Sequence, residues 1–238
     1  MRVTYSIFTA SGPRAVNEDS VDCWRANADT TVACIADGLG GMGGGDIASK
    51  LAVTTFRAYL EKTEINESTM TAAALAAHHE IRNQQNSTDK RNRMATTLTA
   101  VAISNSGLIG IHCGDTRAAL ARANGIKRLT TDHSEGQRLF DAGKLTKDEL
   151  ATYQRKHILE SALGDKGNPR IDSFKFNIRQ NDRIFLTSDG VHNIVLLREL
   201  QKLALISPTP AVLVENVHRE VEERGPTDNF SIVALYID

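Results

Sequence analysis

Between residues 96 and 129 four apolar runs follow one another with very little chain between them: 96–103, 108–113, 118–122 and 126–129. A parallel strand pair needs a crossover of about a dozen residues or more, whereas antiparallel strands can be joined by a tight turn. Runs this close together therefore predict an antiparallel meander. Asn105-Ser106-Gly107 and Asn124-Gly125 supply turn chemistry, and the second pair is a strong hairpin signal. Residues 3–10, 21–26, 31–36, 171–178, 183–187 and 230–237 also read as strands.

Helical spacing takes over elsewhere. Ile47, Leu51, Thr55, Phe56, Tyr59 and Leu60 repeat at helical intervals, and Met70, Ala74, Ala77 and Ile81 mark one face of a helix over residues 67–85. The polar stretch Asn86 to Arg93 reads as a loop. Short helices are expected over 137–142 and 147–153, and longer ones over 197–206 and 210–223. Strands and helices arrive in blocks without strict β-α-β alternation, which predicts an α+β layered fold with largely antiparallel sheets.

Bulk properties exclude several function classes. The chain has 238 residues, enough for one large core or at most two small domains. A net charge of −1 and only 5% aromatic residues point away from nucleic acid and from anionic membranes. No apolar run approaches the ~18 residues of a membrane span. Cys23, Cys34 and Cys113 are odd in number, lack C-x-x-C spacing and sit in or beside strand-like runs, so buried reduced thiols and a cytoplasmic setting are expected.

Chemistry enters through acids beside those strands. Asp37-Gly38 follows the apolar run 32–36, Ser188-Asp189-Gly190 follows 184–187, and Thr227-Asp228-Asn229 precedes the closing strand. Asn17-Glu18-Asp19 and Gly114-Asp115-Thr116-Arg117 complete the set. Any single Asp-Gly is an ordinary turn signal. Several acids converging from strand ends on one basin, however, form an all-oxygen donor set, which selects hard divalent ions such as magnesium or manganese. A bridging carboxylate with acids on either side can hold two such ions about 3.5–4 Å apart and activate a water for attack on phosphorus. Glycine after the acid leaves the backbone accessible, so a glycine carbonyl is a further candidate ligand. Arg14, just upstream of Asn17, has the guanidinium fork suited to phosphate oxygens.

The order of these motifs resembles the metal-dependent protein phosphatases (PPM, type 2C). Arg14-x-x-Asn17-Glu18-Asp19, Ala36-Asp37-Gly38-Leu39-Gly40-Gly41, Ala95-Thr96-Thr97, Gly114-Asp115-Thr116-Arg117, Ser188-Asp189-Gly190 and Asp228-Asn229 carry the likeness, which is closest to the compact bacterial members. The resemblance implies one domain over 1–238, built as a four-layer α-β-β-α sandwich with a helical flap at about 133–160. It implies two tightly bound Mn2+ or Mg2+ ions and a third, weaker one. Asp37 would bridge the two ions with the Gly38 carbonyl on the second. Asp189 and Asp228 would hold the first ion, and Glu18 and Asp19 the second, directly or through water. Asp115 and Asp189 would hold the third ion, and Arg14 would grip the substrate phosphate. The implied activity is hydrolysis of phosphoserine and phosphothreonine proteins, those of a Hanks-type kinase, by a metal-bridging hydroxide without a covalent phosphoenzyme. A monomer is the default.

Two positions depart from that pattern. Leu39 stands where eukaryotic relatives place a histidine and bacterial ones usually a methionine, so the proton donor to the leaving group is not assigned. Ala95 replaces a usual glycine, and a positive φ there would be strained. Gly38-x-Gly40-x-x-Gly43 matches a dinucleotide fingerprint, but an acid precedes it and no β-α-β alternation follows. A catalytically silent phosphoprotein-binding relative would have lost metal-binding acids, and none is missing.

Overall fold

The computed structural model describes residues 1–39, 43–86 and 94–238. Gly40, Gly41 and most of the stretch read as a loop between Asn86 and Arg93 lie outside the described residues. Along the chain the elements are β1 (Val3–Ala10), β2 (Asp19–Arg25), β3 (Thr31–Leu39), α1 (Gly45–Leu60), α2 (Glu67–Asn86), β4 (Ala95–Thr96), β5 (Leu98–Ser104), β6 (Gly107–Cys113), β7 (Arg117–Arg122), β8 (Gly125–Arg128), α3 (Glu135–Asp141), α4 (Lys147–Thr152), β9 (Asp172–Phe176), β10 (Arg183–Thr187), α5 (Asp189–His192), α6 (Leu197–Ile206), α7 (Pro210–Arg224) and β11 (Phe230–Ile237).

These strands form two antiparallel sheets. One has the order β1-β11-β10-β7-β8, and the other β2-β3-β5-β6-β9, with β4 paired to the end of β3. The meander expected over 96–129 is therefore corrected. The β5–β6 hairpin belongs to one sheet and the β7–β8 hairpin to the other, and the connection 114–116 crosses between them. The hairpin turn itself is Ala123-Asn124, because Arg122 pairs with Gly125 and the glycine opens β8.

Three buried clusters define four layers. Ala33 and Ile35 of β3 meet Leu186 of β10 and Val233 and Leu235 of β11 between the sheets. On its other face β3 presents Val32, Cys34 and Ala36 to Phe56 of α1 and Met70 of α2. β11 does the same, turning Ile232, Ala234 and Tyr236 toward Leu213 and Val217 of α7. Strands covered on both faces need apolar residues at nearly every position, which explains their unbroken hydrophobic runs. The layer order is α-β-β-α.

Local signals set the helix ends. Thr209 caps α7 by accepting from the Val212 N–H, with Pro210 at the first helical position. Thr146 and Glu149 form a capping box on α4. The four-residue α5 was not expected from sequence, being too short to show a period. Ala95 carries no strain: it lies in β4 opposite Leu39, and its φ is not positive. All three cysteines are buried and unpaired. Among the described residues no helix is long and apolar enough to cross a membrane.

Phe185 on β10 is fully buried against α5, α6 and α7. Phe185→Ala is expected to lower the unfolding free energy by about 3–5 kcal/mol in urea titrations. A loss under about 1 kcal/mol would show that this outer layer contributes little to the fold.

Candidate metal centre

Antiparallel pairing places the end of one strand beside the start of its neighbour, and here that rule gathers the acids at one edge. Asp19 opens β2 directly opposite Asp37 near the end of β3. In the second sheet Thr187, ending β10, pairs with Arg117, opening β7, and lies near the start of β11. Asp189, Asp115 and Asp228 flank those three strand ends. The connection 114–116 that leaves one sheet for the other thus carries Asp115 to the shared edge.

The backbone around Asp37 is held on both sides. Its N–H donates to Thr97 Oγ1 at 2.8 Å, while Thr96 Oγ1 and the Thr97 N–H donate to its carbonyl at 2.9 Å each. Gly38 sits where no side chain fits: a Cβ would lie 2.2 Å from the Gly45 carbonyl oxygen and 2.6 Å from that of Glu18. The Gly38 N–H donates to the Glu18 carbonyl at 3.0 Å, so the two acidic segments are joined through main chain.

Asp19 is fixed by hydroxyls. Ser188 Oγ and Ser231 Oγ each donate to its Oδ2 at 2.7 Å. Its Oδ1 is buried and has no hydrogen-bond partner among the described residues. A buried carboxylate oxygen left bare is costly unless a cation meets it. Asn229 ties the neighbouring loop, accepting from the Glu18 N–H at 2.8 Å and donating to the carbonyls of Ser11 and Val16. Sequence reasoning had assigned no role to Ser188, Ser231 or Asn229, and Thr96 and Thr97 entered only through the family pattern. A polar residue in an otherwise apolar buried strand, as Ser231 is, was the available signal.

The electrostatics are those of a basin short of positive charge. Burial, then the charges of Asp19, Asp189, Asp115 and Asp228, push the Asp37 carboxyl well above the usual carboxylate range. Burial raises Asp19 to about 6, against the pull of its two serine hydroxyls. Asp115 is pushed up to about 7 by burial and by Asp189 and Asp132. Burial and Asp228 raise Asp189. Glu18 is raised by burial, Asp46 and Asp228. Mutual repulsion of this kind is what a multivalent cation relieves.

The fit is one of kind and placement. The donors are all oxygen, and one of them is bare. Among the described residues, though, no group of three or more His, Cys, Asp and Glu side chains is drawn together tightly enough to enclose an ion. Asp228 is engaged elsewhere: Arg14 Nη2 donates to its Oδ2 at 2.8 Å, and Arg14 Nε reaches the Thr227 carbonyl. The structure thus gives one of the acids a cationic partner, Arg14. His133, at the base of the stretch that carries α3 and α4, is built into the structure, accepting from the Gly114 N–H and bonded to Asp172. His157 stays exposed, within electrostatic reach of Asp189.

Comparison with known proteins decides the family. The sequence model for Protein phosphatase 2C matches residues 12–224. The chain belongs to that family. It is 31% identical over 226 residues to protein phosphatase PhpP of Streptococcus pneumoniae, covering 93% of this chain and 92% of the relative. The serine/threonine phosphatase stp of Listeria monocytogenes is 28% identical over 93% and 90% of the two chains. Among solved structures, a Streptococcus agalactiae serine/threonine phosphatase superposes with a TM-score of 0.91 at 26% identity, covering both chains completely. The catalytic domain of the serine/threonine protein phosphatase PstP, solved in complex with two manganese ions, gives 0.83 at 28% identity over 99% of each chain. The type 2C phosphatase fold and enzyme class are thus those of this chain.

The raised carboxylates have a consequence for stability without metal. Unfolded carboxylates titrate near 4, so between there and about 6–7 the folded chain keeps protons that the unfolded chain has released. Stability of this edge is lost as pH rises through that window. In excess EDTA, Asp37→Asn should be more stable than wild type at about pH 7.5, with the gap closing toward about pH 5. Urea titrations at both pH values check this, and a gap that widens in acid would contradict it.

Proposed function

We propose that the chain is a metal-dependent phosphoserine and phosphothreonine protein phosphatase working through a binuclear manganese or magnesium centre at this edge. The observation that carries the reading is Asp37, whose carboxyl feels four other aspartates contributed by both sheets. In this reading Asp37 and the Gly38 carbonyl would help to hold the two ions, with Asp189 and Asp228 serving one and Glu18 and Asp19 the other, and Asp115 with Asp189 would hold a third, weaker one. The bare Asp19 Oδ1 is the atom with the strongest physical need for a cation.

When bound, such ions supply an activated water and neutralise charge on the phosphoryl group. The chain's own residues do the rest. Ser188 and Ser231 keep Asp19 oriented, and Thr96 and Thr97 keep Asp37 at the edge. Arg14, more than half exposed at the rim, grips the substrate phosphate after releasing Asp228. Among the described residues no serine or cysteine stands as a nucleophile beside the acids: Ser188 Oγ is committed to Asp19 and accepts the Ser231 N–H, and burial pushes the Cys34 thiol well up. The substrates proposed are phosphoproteins of a Hanks-type kinase. The proposed compartment is the cytoplasm, where three unpaired thiols persist.

The test joins metal analysis to a phosphothreonine-peptide assay. Wild type should turn over only with manganese or magnesium, and Asp37→Asn should lose at least about 100-fold in kcat together with bound metal. Undiminished hydrolysis in excess EDTA would overturn the reading. Arg14→Ala should cost about 1.5–3 kcal/mol in kcat/KM, chiefly through KM. An unchanged KM would remove Arg14 from the phosphate.

A further inference from the structure

Beside the acidic edge the structure holds a second polar space. A cavity of about 190 Å³ is bounded by Asp115, Arg117, Arg128, Asp132, Lys156 and His157. Its inner wall is the start of β7 and the end of β8, and its outer wall is the excursion that carries α3 and α4. That excursion is tied at its base: the Glu135 N–H donates to the Ile158 carbonyl and the Glu160 N–H to that of His133, both at 2.8 Å. Asp115 lines the cavity and also belongs to the aspartate set at the edge, so the two spaces are neighbours.

The charge inventory of this cavity does not balance. Arg117 forks Asp132, with Nη2 on Oδ2 at 2.6 Å and Nε on Oδ1 at 3.1 Å. Arg128 must share that same Oδ2 at 3.5 Å, and its other contact is the neutral Gln137 amide oxygen at 3.1 Å. Lys156 Nζ donates only to the Ala151 carbonyl, at 2.8 Å. His157 has no hydrogen-bond partner among the described residues. Three cations therefore face two carboxylates, Asp115 at the edge and Asp132, which Arg117 and Arg128 already share. Burial pushes the Arg128 guanidinium down, with the nearby Arg117 charge adding to the fall and Asp132 and Asp141 opposing it.

We propose that this cavity is an anion subsite for the substrate: it takes an acidic group, a carboxylate side chain or a second phosphate, carried close in sequence to the phosphoresidue being hydrolysed. The proposal rests on the phosphatase reading and adds a substrate class to it. Arg128 and Lys156 supply the donors, Arg117 stays on Asp132 as the fixed wall, and the space admits a side-chain head group but no folded segment. The same charges disfavour substrates with a basic residue at that place.

The experiment compares four phosphothreonine peptides of one length on the manganese-loaded enzyme. Their flanking residues carry asparagine, aspartate, phosphoserine or lysine, on either side of the phosphothreonine. Wild type should prefer the aspartate or phosphoserine peptide over the asparagine one by about tenfold in kcat/KM, through KM. The lysine peptide should fall below asparagine. The acidic-to-neutral ratio, taken within each protein, should collapse toward one in Arg128→Gln and in Lys156→Gln. Lys156→Gln removes only a contact to a carbonyl, so it carries the test if Arg128→Gln fails to fold. Preference for phosphoserine alone identifies a phosphate as the ligand, and equal preference identifies any anion. A wild-type ratio near one, or a ratio kept in Lys156→Gln, overturns the subsite. Failure of wild type to hydrolyse any of the peptides would instead overturn the phosphatase reading on which it stands.

Discussion

Two carboxylates facing each other across an antiparallel strand pair repel, and this molecule is arranged to hold Asp19 and Asp37 in that position. Packed layers on both faces of β3 leave the strand no freedom to slide, because a one-residue slip would turn Ala33 and Ile35 away from the inter-sheet core. The threonines on the Asp37 backbone and the serines on Asp19 then fix the two ends of the pair. Repulsion is not relieved by movement, and with burial it shows in carboxyls raised above the usual carboxylate range. The same constraint explains why burial and neighbouring aspartates act in one direction at Asp37, Asp115 and Asp189.

Two sheets are needed to complete the basin. A single antiparallel sheet could offer the Asp19–Asp37 pair, but Asp115, Asp189 and Asp228 come from the facing sheet. Asp115 reaches the edge because the chain changes sheets between β6 and β7, and Gly114 makes that passage with a φ of 107° while lying against Thr97. A side chain at Gly114 would meet Thr97 Cγ2 at 2.5 Å, which displaces the residue that holds Asp37. The acidic edge and the crossing connection are thus one construction.

Cations stand around this basin, not inside it. Arg14 closes one side on Asp228. On another side Arg117 and Arg128 share Asp132 beneath the α3–α4 excursion. In the proposed reading, a negative centre would suit divalent metal and a positive rim the phosphorylated, anionic chain.

Much of the fold was legible because its signals are local. β3 and β11 announced themselves as unbroken apolar runs, since both faces of each are covered. α7 showed its cap, its proline and its period within a few residues of each other. Helix α5 was not legible, because four residues contain no period, and Ser231 was hidden as an ordinary polar break in a strand. The acids were legible as motifs and, through their order, as a family pattern.

Sequence alone determined most of the strands and the longer helices and which acids lie at strand ends, because periodicity and turn chemistry act over neighbouring residues. Only the tertiary structure decided that β6 and β7 part into different sheets and that Arg14 meets Asp228. It also decided that one oxygen of Asp19 is left buried and bare. Those outcomes depend on contacts between residues as far as 214 positions apart, whose partners are chosen by packing and register and leave no trace in any local window.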